Sequence, residues 1–329
     1  MKIIHVREIS NVAATLVDGL RRLGHDVQLE PMRLHRHEAS VASRAVLLPN
    51  RLREALRINH LIRSGGFQTV HLHWAYMGWM GMAGRYPYFV HCHGSDLRRN
   101  LGWAGLGWLT RRSLRSARRV FYSTPDLKSL AVRVRPDSVF VPNPINTEVF
   151  RPLERPRGDG VKVLLISRFE PVKGPETALA IVRELKRTHP CVEVHAFNWG
   201  VSVTQFADPE LVRLIPTVPY QEMPELLAGY DIAVGQFGLG ILSMSELEAM
   251  ACGRPLVGYF RYPEVYDEPP PMLSTRDVQE GARLLAGLVE DVQAREQLGE
   301  SARAWVEKRH DHLTVARLVE GYYLEALEG

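Results

Sequence analysis

Short apolar runs alternate with amphipathic stretches along this chain, and after one break the alternation starts again. Residues 2–6 read as a strand, and residues 11–23 as an amphipathic helix capped by Ser10 or Asn11 and ended by Gly24. A strand over 26–29 and a helix over 51–64, closed by Gly65-Gly66, come next. Residues 69–73, 88–91 and 120–123 are further short apolar strands. Such alternation predicts a parallel sheet with helices on both faces. The break falls at Pro142-Asn-Pro-Ile-Asn146 and at residues 151–160, where proline, glycine and charge crowd together as in a linker. Beyond it, residues 161–167, 192–196, 231–235 and 256–259 read as strands, and 211–216 as a weaker one. A helix is expected over 176–187, and another opens at 220–224. The predicted fold class is α/β, two doubly wound domains facing across a cleft. The ligand-bearing loops lie at the carboxyl ends of the strands.

At 329 residues the chain is long enough for two domains of ordinary size. Its 45% hydrophobic and 24% charged residues are typical of soluble globular proteins. No segment reads as a secretory leader, and no apolar run approaches a membrane span. Cys92, Cys191 and Cys252 are odd in number and far apart, which fits a reducing cytoplasm better than a disulfide framework. The net charge of +4 is unevenly spread. Arg98, Arg99, Arg111, Arg112, Arg115, Arg118, Arg119, Lys128, Arg133 and Arg135 crowd one stretch, with Trp103 and Trp108 among them. That segment reads as a solvated helix face, as a patch for peripheral contact with an anionic membrane, or as a polyanion site. No nucleic-acid-binding motif accompanies the charge, so no nucleic acid is expected as a partner.

The stretch Ser243-Met-Ser-Glu-Leu-Glu-Ala-Met-Ala-Cys-Gly-Arg-Pro-Leu-Val257 reads as a helix start behind a glycine loop. Ser243 and Ser245 are both good N-caps, each with a glutamate three residues on, Glu246 and Glu248. Gly253 and Pro255 stop the helix. A strand, a glycine loop and a helix N-terminus together suit an anion, and an ordinary capped helix has the same pattern. Arg168 and Lys173 follow the strand at 161–167, where they are either a diphosphate clamp or two surface cations. His71 and His73, like His91 and His93, place two imidazoles on one face of a strand end. Neither carboxylate nor cysteine completes a metal set at a suitable spacing, so no metal is expected. Asp96 reads as the cap of the next helix.

Several segments together resemble the retaining glycosyltransferases of the GT-B fold, family 4 in particular. They are Ser167-Arg-Phe-Glu-Pro-Val-Lys-Gly174, Glu248-Ala-Met-Ala-Cys-Gly-Arg-Pro255, His91-Cys-His-Gly-Ser-Asp96 and the crossing Val141-Pro-Asn-Pro-Ile-Asn-Thr-Glu-Val-Phe-Arg-Pro152. The run 305–327 resembles the last helix that folds back on the N-domain. The resemblance implies an acceptor-side domain over 1–152, completed by a helix from about 310 to 329, and a nucleotide-sugar domain over 153–309. It implies that Arg168 and Lys173 hold the donor diphosphate and that Glu248 accepts from the ribose hydroxyls. Backbone amides near Leu242 and Ser243 meet the phosphates, and His93 approaches the transferred sugar. Ser10, Asn11 and Asp96 fall on the acceptor side.

Three positions depart from the family pattern. Its first glutamate is Gly240 here, which leaves Glu246 or a distant residue to serve the donor sugar. The glycine pair after the first strand is replaced by Arg7-Glu-Ile-Ser-Asn11. The Asn-Gly of the crossing is Asn143-Pro144. The expected activity is transfer of a sugar from a nucleotide-sugar donor to a glycan, lipid-linked or small-molecule acceptor, with retention and without a metal or other cofactor. The alternatives are a catalytically degenerate scaffold or partner subunit and a GT-B sugar-nucleotide epimerase. A nicotinamide dehydrogenase is not expected, since no G-x-G-x-x-G follows the first strand.

Overall fold

The computed structural model describes residues 1–32, 41–154, 160–206 and 208–328. The chain divides into two compact units. One comprises Met1–Pro144 with His312–Gly329, the other Ile145–Asp311. The division falls at 144/145, ahead of the proline- and charge-rich stretch, part of which (155–159) lies outside the described residues.

Each unit holds one six-stranded, wholly parallel sheet. The first is built from β1 (Lys2–Val6), β2 (Asp26–Glu30), β3 (Thr69–His73), β4 (Phe89–Cys92), β5 (Val120–Tyr122) and β6 (Val139–Phe140), in the order β2-β1-β3-β4-β5-β6. The second contains β7 (Lys162–Leu165), β8 (Glu193–Phe197), β9 (Arg213–Ile215), β10 (Ile232–Val234), β11 (Leu256–Gly258) and β12 (Leu273–Ser274), in the order β12-β11-β10-β7-β8-β9. The strand order reverses between β1 and β3 in one sheet and between β7 and β10 in the other. Parallel order with such a reversal opens a crevice at the carboxyl ends of the paired strands.

The helix Val12–Arg22 buries Val12, Ala13, Leu16, Val17 and Leu20. Leu16, Val17 and Leu20 share a core with Val315, Ala316, Val319 and Tyr323 of the helix His312–Glu328. The two helices approach so closely at Gly19 that a Cβ there would sit 2.5 Å from the His312 carbonyl oxygen. The last helix therefore completes the first unit. In the second unit, Ile181, Val182 and Leu185 of the helix Pro175–Thr188 pack with Ala282 and Leu285 of Val278–Glu290.

Several local expectations are corrected. The second helix begins at Val41, ten residues before the expected start. Neither Ser10 nor Asn11 caps the first helix through its side chain. Glu8 does so instead, its Oε2 accepting from the Ala14 N–H at 2.6 Å. The run expected as one last helix is two, Val292–His310 and His312–Glu328. Asp311 breaks it: its backbone is extended, it bridges Ile145, and its carboxylate accepts from the Thr147 hydroxyl at 2.5 Å. Among the described residues, no helix is long and apolar enough to cross a membrane.

Candidate functional site

In the second unit the loops after β7 and β10 meet. Gly174 (φ +69°) ends the turn Pro171–Lys173 and admits the helix Pro175–Thr188. The Lys173 carbonyl accepts from the N–H groups of Phe237 (2.9 Å) and Gly238 (3.1 Å), which ties the two loops together. Gly238 allows this approach, since a Cβ on it would lie 2.1 Å from the Val172 carbonyl oxygen. Ser167, Arg168, Lys173, Gly174 and Gly235 line one pocket at this junction. The structure thus brings Arg168 and Lys173 together. Arg168 pairs with Glu170 at 3.2 Å, and its guanidinium lies over the Trp199 ring, 5.0 Å from the centroid. Trp199 was invisible in the sequence, because it comes from the loop after β8 and belongs to no motif. Ser167 Oγ is buried and has no hydrogen-bond partner among the described residues.

The helix Met244–Ala251 begins at Ser243. Ser245 is its second residue and caps nothing. Glu246 is fully buried. Its carboxylate accepts from the Ser243 N–H (2.7 Å) and hydroxyl (2.6 Å) and from the Gln236 N–H (2.9 Å). This corrects two expectations. Glu246 fixes the glycine loop and has no oxygen to offer a sugar. The Ser243 amide is occupied by Glu246 and is not free for a phosphate. Leu242 is buried in the core under the loop. Glu248 is different: it is 6% exposed, yet no described residue donates a hydrogen bond to its carboxylate. Burial pushes its pKa up to about 7. A buried carboxylate without donors is costly unless a ligand supplies them.

In the first unit, five imidazoles gather at the carboxyl end of the sheet. His5 on β1 is in register with His71 on β3, and His73 with His91 on β4. The rings stack at 4.4–4.6 Å for the pairs His5–His71, His71–His73 and His91–His93. Burial lowers the pKa of all five, His5 and His91 to about 3, so all are neutral. The sets His5/His71/His73 and His73/His91/His93 each bring three ligand atoms within 4.8 Å.

Asp96 is not the cap of the next helix. It is fully buried and accepts from the backbone N–H groups of His93, Gly94, Leu97 and Ala75 at 2.7–3.2 Å. It fastens the loop after β4 to the loop after β3. The loop after β1, without the usual glycines, puts three L-residues in the left-handed region: Arg7 (φ 80°), Ser10 (φ 50°) and Asn11 (φ 62°). Such strain clusters at functional sites. Ser10 is exposed and Asn11 half-buried. The Arg7 guanidinium covers the Trp74 ring, 4.0 Å from its centroid.

Comparison with known proteins follows both halves of the chain. Residues 8–144 match the glycosyl transferase 4-like domain, and residues 179–320 match a glycosyl transferase-like family. The chain belongs to the family 4 glycosyltransferases of the GT-B fold. Over 147 residues this family member is 26% identical to a D-inositol 3-phosphate glycosyltransferase of Acidothermus cellulolyticus, covering 37% of this chain and 33% of that protein. Over 186 residues it is 26% identical to a glycogen synthase of Mycobacterium tuberculosis, covering 53% and 45%. The matches therefore span a third to under a half of these relatives. Among solved structures, a sucrose-phosphate synthase of Thermosynechococcus elongatus has the same fold (TM-score 0.71, 16% identity, 99% of both chains). So does Anabaena HepE in complex with UDP-glucose (TM-score 0.67, 14% identity, 98% of both chains).

Within the family the departure at Gly240 has a structural reason. Its φ is +68°, and a Cβ there would lie 2.8 Å from Arg261 Cγ and 2.9 Å from Tyr259 Cε1. Those two side chains fill the space a carboxylate side chain would need. No residue of the described structure puts a carboxylate back at that position through Glu246, which is committed to the loop.

Proposed function

We propose that this chain transfers a sugar from a nucleoside-diphosphate donor to an acceptor hydroxyl with retention of configuration. The buried Glu248 carboxylate without a hydrogen-bond donor carries this reading, beside Arg168 and Lys173 at the strand reversal of the second sheet. Ribose hydroxyls supply the donors that Glu248 lacks. The guanidinium and ammonium neutralise the diphosphate, which gains charge as it leaves, and fixed charges there favour the transition state over the ground state. HepE binds UDP and UDP-glucose, which supports a uridine nucleotide as the donor. In the reaction the bond from the anomeric carbon to the diphosphate oxygen breaks. A bond to the acceptor oxygen forms on the same face, and the acceptor proton passes to the departing diphosphate. The protein supplies no nucleophile, and the two cations do the work that a metal does elsewhere, so neither metal nor other cofactor is required. His93 contacts the transferred sugar.

Trp103 and Trp108 are 51% and 61% exposed on or beside the basic helix Ala104–Ser116, whose Arg111, Arg112 and Arg115 face solvent. An amphipathic, cationic, tryptophan-bearing face suits an anionic membrane, and we assign the acceptor to the lipid-linked class, met at the cytoplasmic leaflet. Salt-independent failure to sediment with anionic vesicles would remove that assignment.

A second reading rests on Gly240: without the family's first carboxylate, the chain is a nucleotide-binding partner subunit that turns nothing over. Two measurements separate the readings. UDP at a hundred times its dissociation constant should stabilise the protein by roughly 2.7 kcal/mol, visible as a thermal shift without magnesium. UDP-sugar turnover with a lipid-linked acceptor then distinguishes enzyme from subunit. The absence of any nucleotide shift would overturn both.

A further inference from the structure

The loops after β7 and β8 are fastened to each other beside the rim that carries Arg168 and Lys173. The Phe169 N–H donates to the Trp199 carbonyl (3.0 Å), and the Ser202 N–H donates to the Phe169 carbonyl (3.1 Å). Between these bonds the two backbones nearly touch. Gly200 has φ +126°, and a Cβ on it would lie 2.4 Å from the Phe169 carbonyl oxygen. Only glycine fits such a place. Trp199 thus stands on a braced stem, although the residue is 45% exposed. Arg168 directly precedes Phe169, so the same two bonds fix the spacing between the ring and the arginine backbone.

Among the described residues, the Arg168 side chain has two holds, and they differ in kind. Glu170 pairs with its Nη1 at 3.2 Å. That hold occupies a donor that a phosphoryl oxygen would also seek, so an arriving anion must share it or break it. The second hold is the Trp199 ring, whose centroid lies 5.0 Å from the guanidinium carbon. A ring face attracts the charge through its quadrupole. The five N–H donors lie in the guanidinium plane, and this attraction needs none of them. The hold by Trp199 can therefore persist when an anion arrives. A long side chain on a rim loses rotamer freedom on gripping a ligand, and a side chain already held loses less.

We propose that Trp199 is a positioning residue, which keeps the Arg168 guanidinium at the rim with its in-plane donors available to a diphosphate. The proposal rests on the diphosphate reading of Arg168 given above. On it, Trp199 acts through Arg168 and not by touching the nucleoside.

The first test needs no ligand. In the full chain with isotope-labelled arginine, the Arg168 side-chain protons, assigned by their loss in Arg168→Lys, should be shifted upfield by the ring. They should return to ordinary positions in Trp199→Leu. Unshifted protons in the wild type would overturn the proposal. The second test is calorimetric, with UDP, inorganic pyrophosphate and uridine as probes. Trp199→Leu should weaken UDP and pyrophosphate by about two- to fivefold, the usual size of an exposed cation–ring contact. Uridine binding should not change, and Trp199→Phe should restore most of the loss. In an Arg168→Ala background, Trp199→Leu should cost nothing more. A loss that persists without Arg168, or extends to uridine, would mean that Trp199 touches the ligand itself and would overturn the proposal. Shifted Arg168 protons in a wild type that binds neither UDP nor pyrophosphate would overturn the diphosphate reading and this assignment together. Unshifted protons with normal UDP binding would remove the assignment alone.

Discussion

The two sheets have the same parallel order and reverse at equivalent places, yet their carboxyl ends are built from opposite materials. In the second unit, glycines let two loops touch, and Arg168 and Lys173 bring full charge to the rim. In the first unit, buried groups dominate: five neutral imidazoles and one carboxylate satisfied by four backbone N–H groups. A charged leaving group needs fixed cations that stay wet enough to remain charged. A neutral sugar needs directional donors and acceptors held in place, and burial provides that. On the proposed function, one topology serves both tasks because the scaffold fixes only where loops converge.

If this division is right, the two ends should break differently. Arg168→Ala with Lys173→Ala should lower kcat/KM by about 10³-fold, given the size of fixed-donor effects on developing charge. As partly exposed side chains, their loss should move stability by no more than about 0.5 kcal/mol. Near wild-type turnover would remove the diphosphate assignment. Asp96→Ala should do the reverse. It strips acceptors from four backbone N–H groups and should cost about 3 kcal/mol or more of folding stability, read by denaturant unfolding. A loss under about 1 kcal/mol would mean that water replaces the carboxylate and that the first site is wetter than described.

Glu248 sharpens the contrast, since it is buried like Asp96 of the first site yet has no donor among the described residues. Its folded-state pKa is raised from 4.5 to about 7. A raised pKa means that the unliganded protein holds this proton more tightly than the unfolded chain. Its stability is greatest below about pH 4.5 as far as this group is concerned. That contribution, about 3 kcal/mol, is lost as pH rises toward 7. Glu248→Gln should flatten this part of the stability profile. Nucleotide binding should run the other way, because the ionised carboxylate is the better acceptor for ribose hydroxyls. Affinity should fall by up to about tenfold from pH 8 to pH 6 in the wild type and stay level in Glu248→Gln. A level wild-type curve would detach Glu248 from the nucleotide. The smallest effect is expected at Gly240→Ala, about 1–2 kcal/mol of destabilisation from the left-handed backbone and the contact with Arg261 and Tyr259. A neutral or stabilised variant would show that the glycine is there for the ligand and not for the turn.

Much of this was legible in the sequence where the signal is local. The two-residue spacing of His71 with His73 and of His91 with His93 announced imidazoles on one strand face. The strand-then-cation pattern at Arg168 and Lys173 announced the rim of a sheet. What stayed hidden depends on distant partners. His5 joins the imidazole cluster only because β1 pairs with β3, and Tyr323 meets it only because the last helix returns to the first unit, 318 residues along the chain from His5. Glu246 and Glu248 have nearly the same surroundings in sequence. Only the fold shows that one closes the loop through Ser243 and Gln236 while the other has no donor. β6 and β12 are two residues each, too short for alternation to show.

Ile145 and Asp311, the first and last residues of the second unit, pair with each other. In evolutionary terms, the second unit is a cassette whose two ends are already stitched together. Its loss or exchange would leave the flanking chain a short gap to close, and closing a short loop costs little. A family whose two units vary at different rates could therefore exchange this one at a single pair of residues.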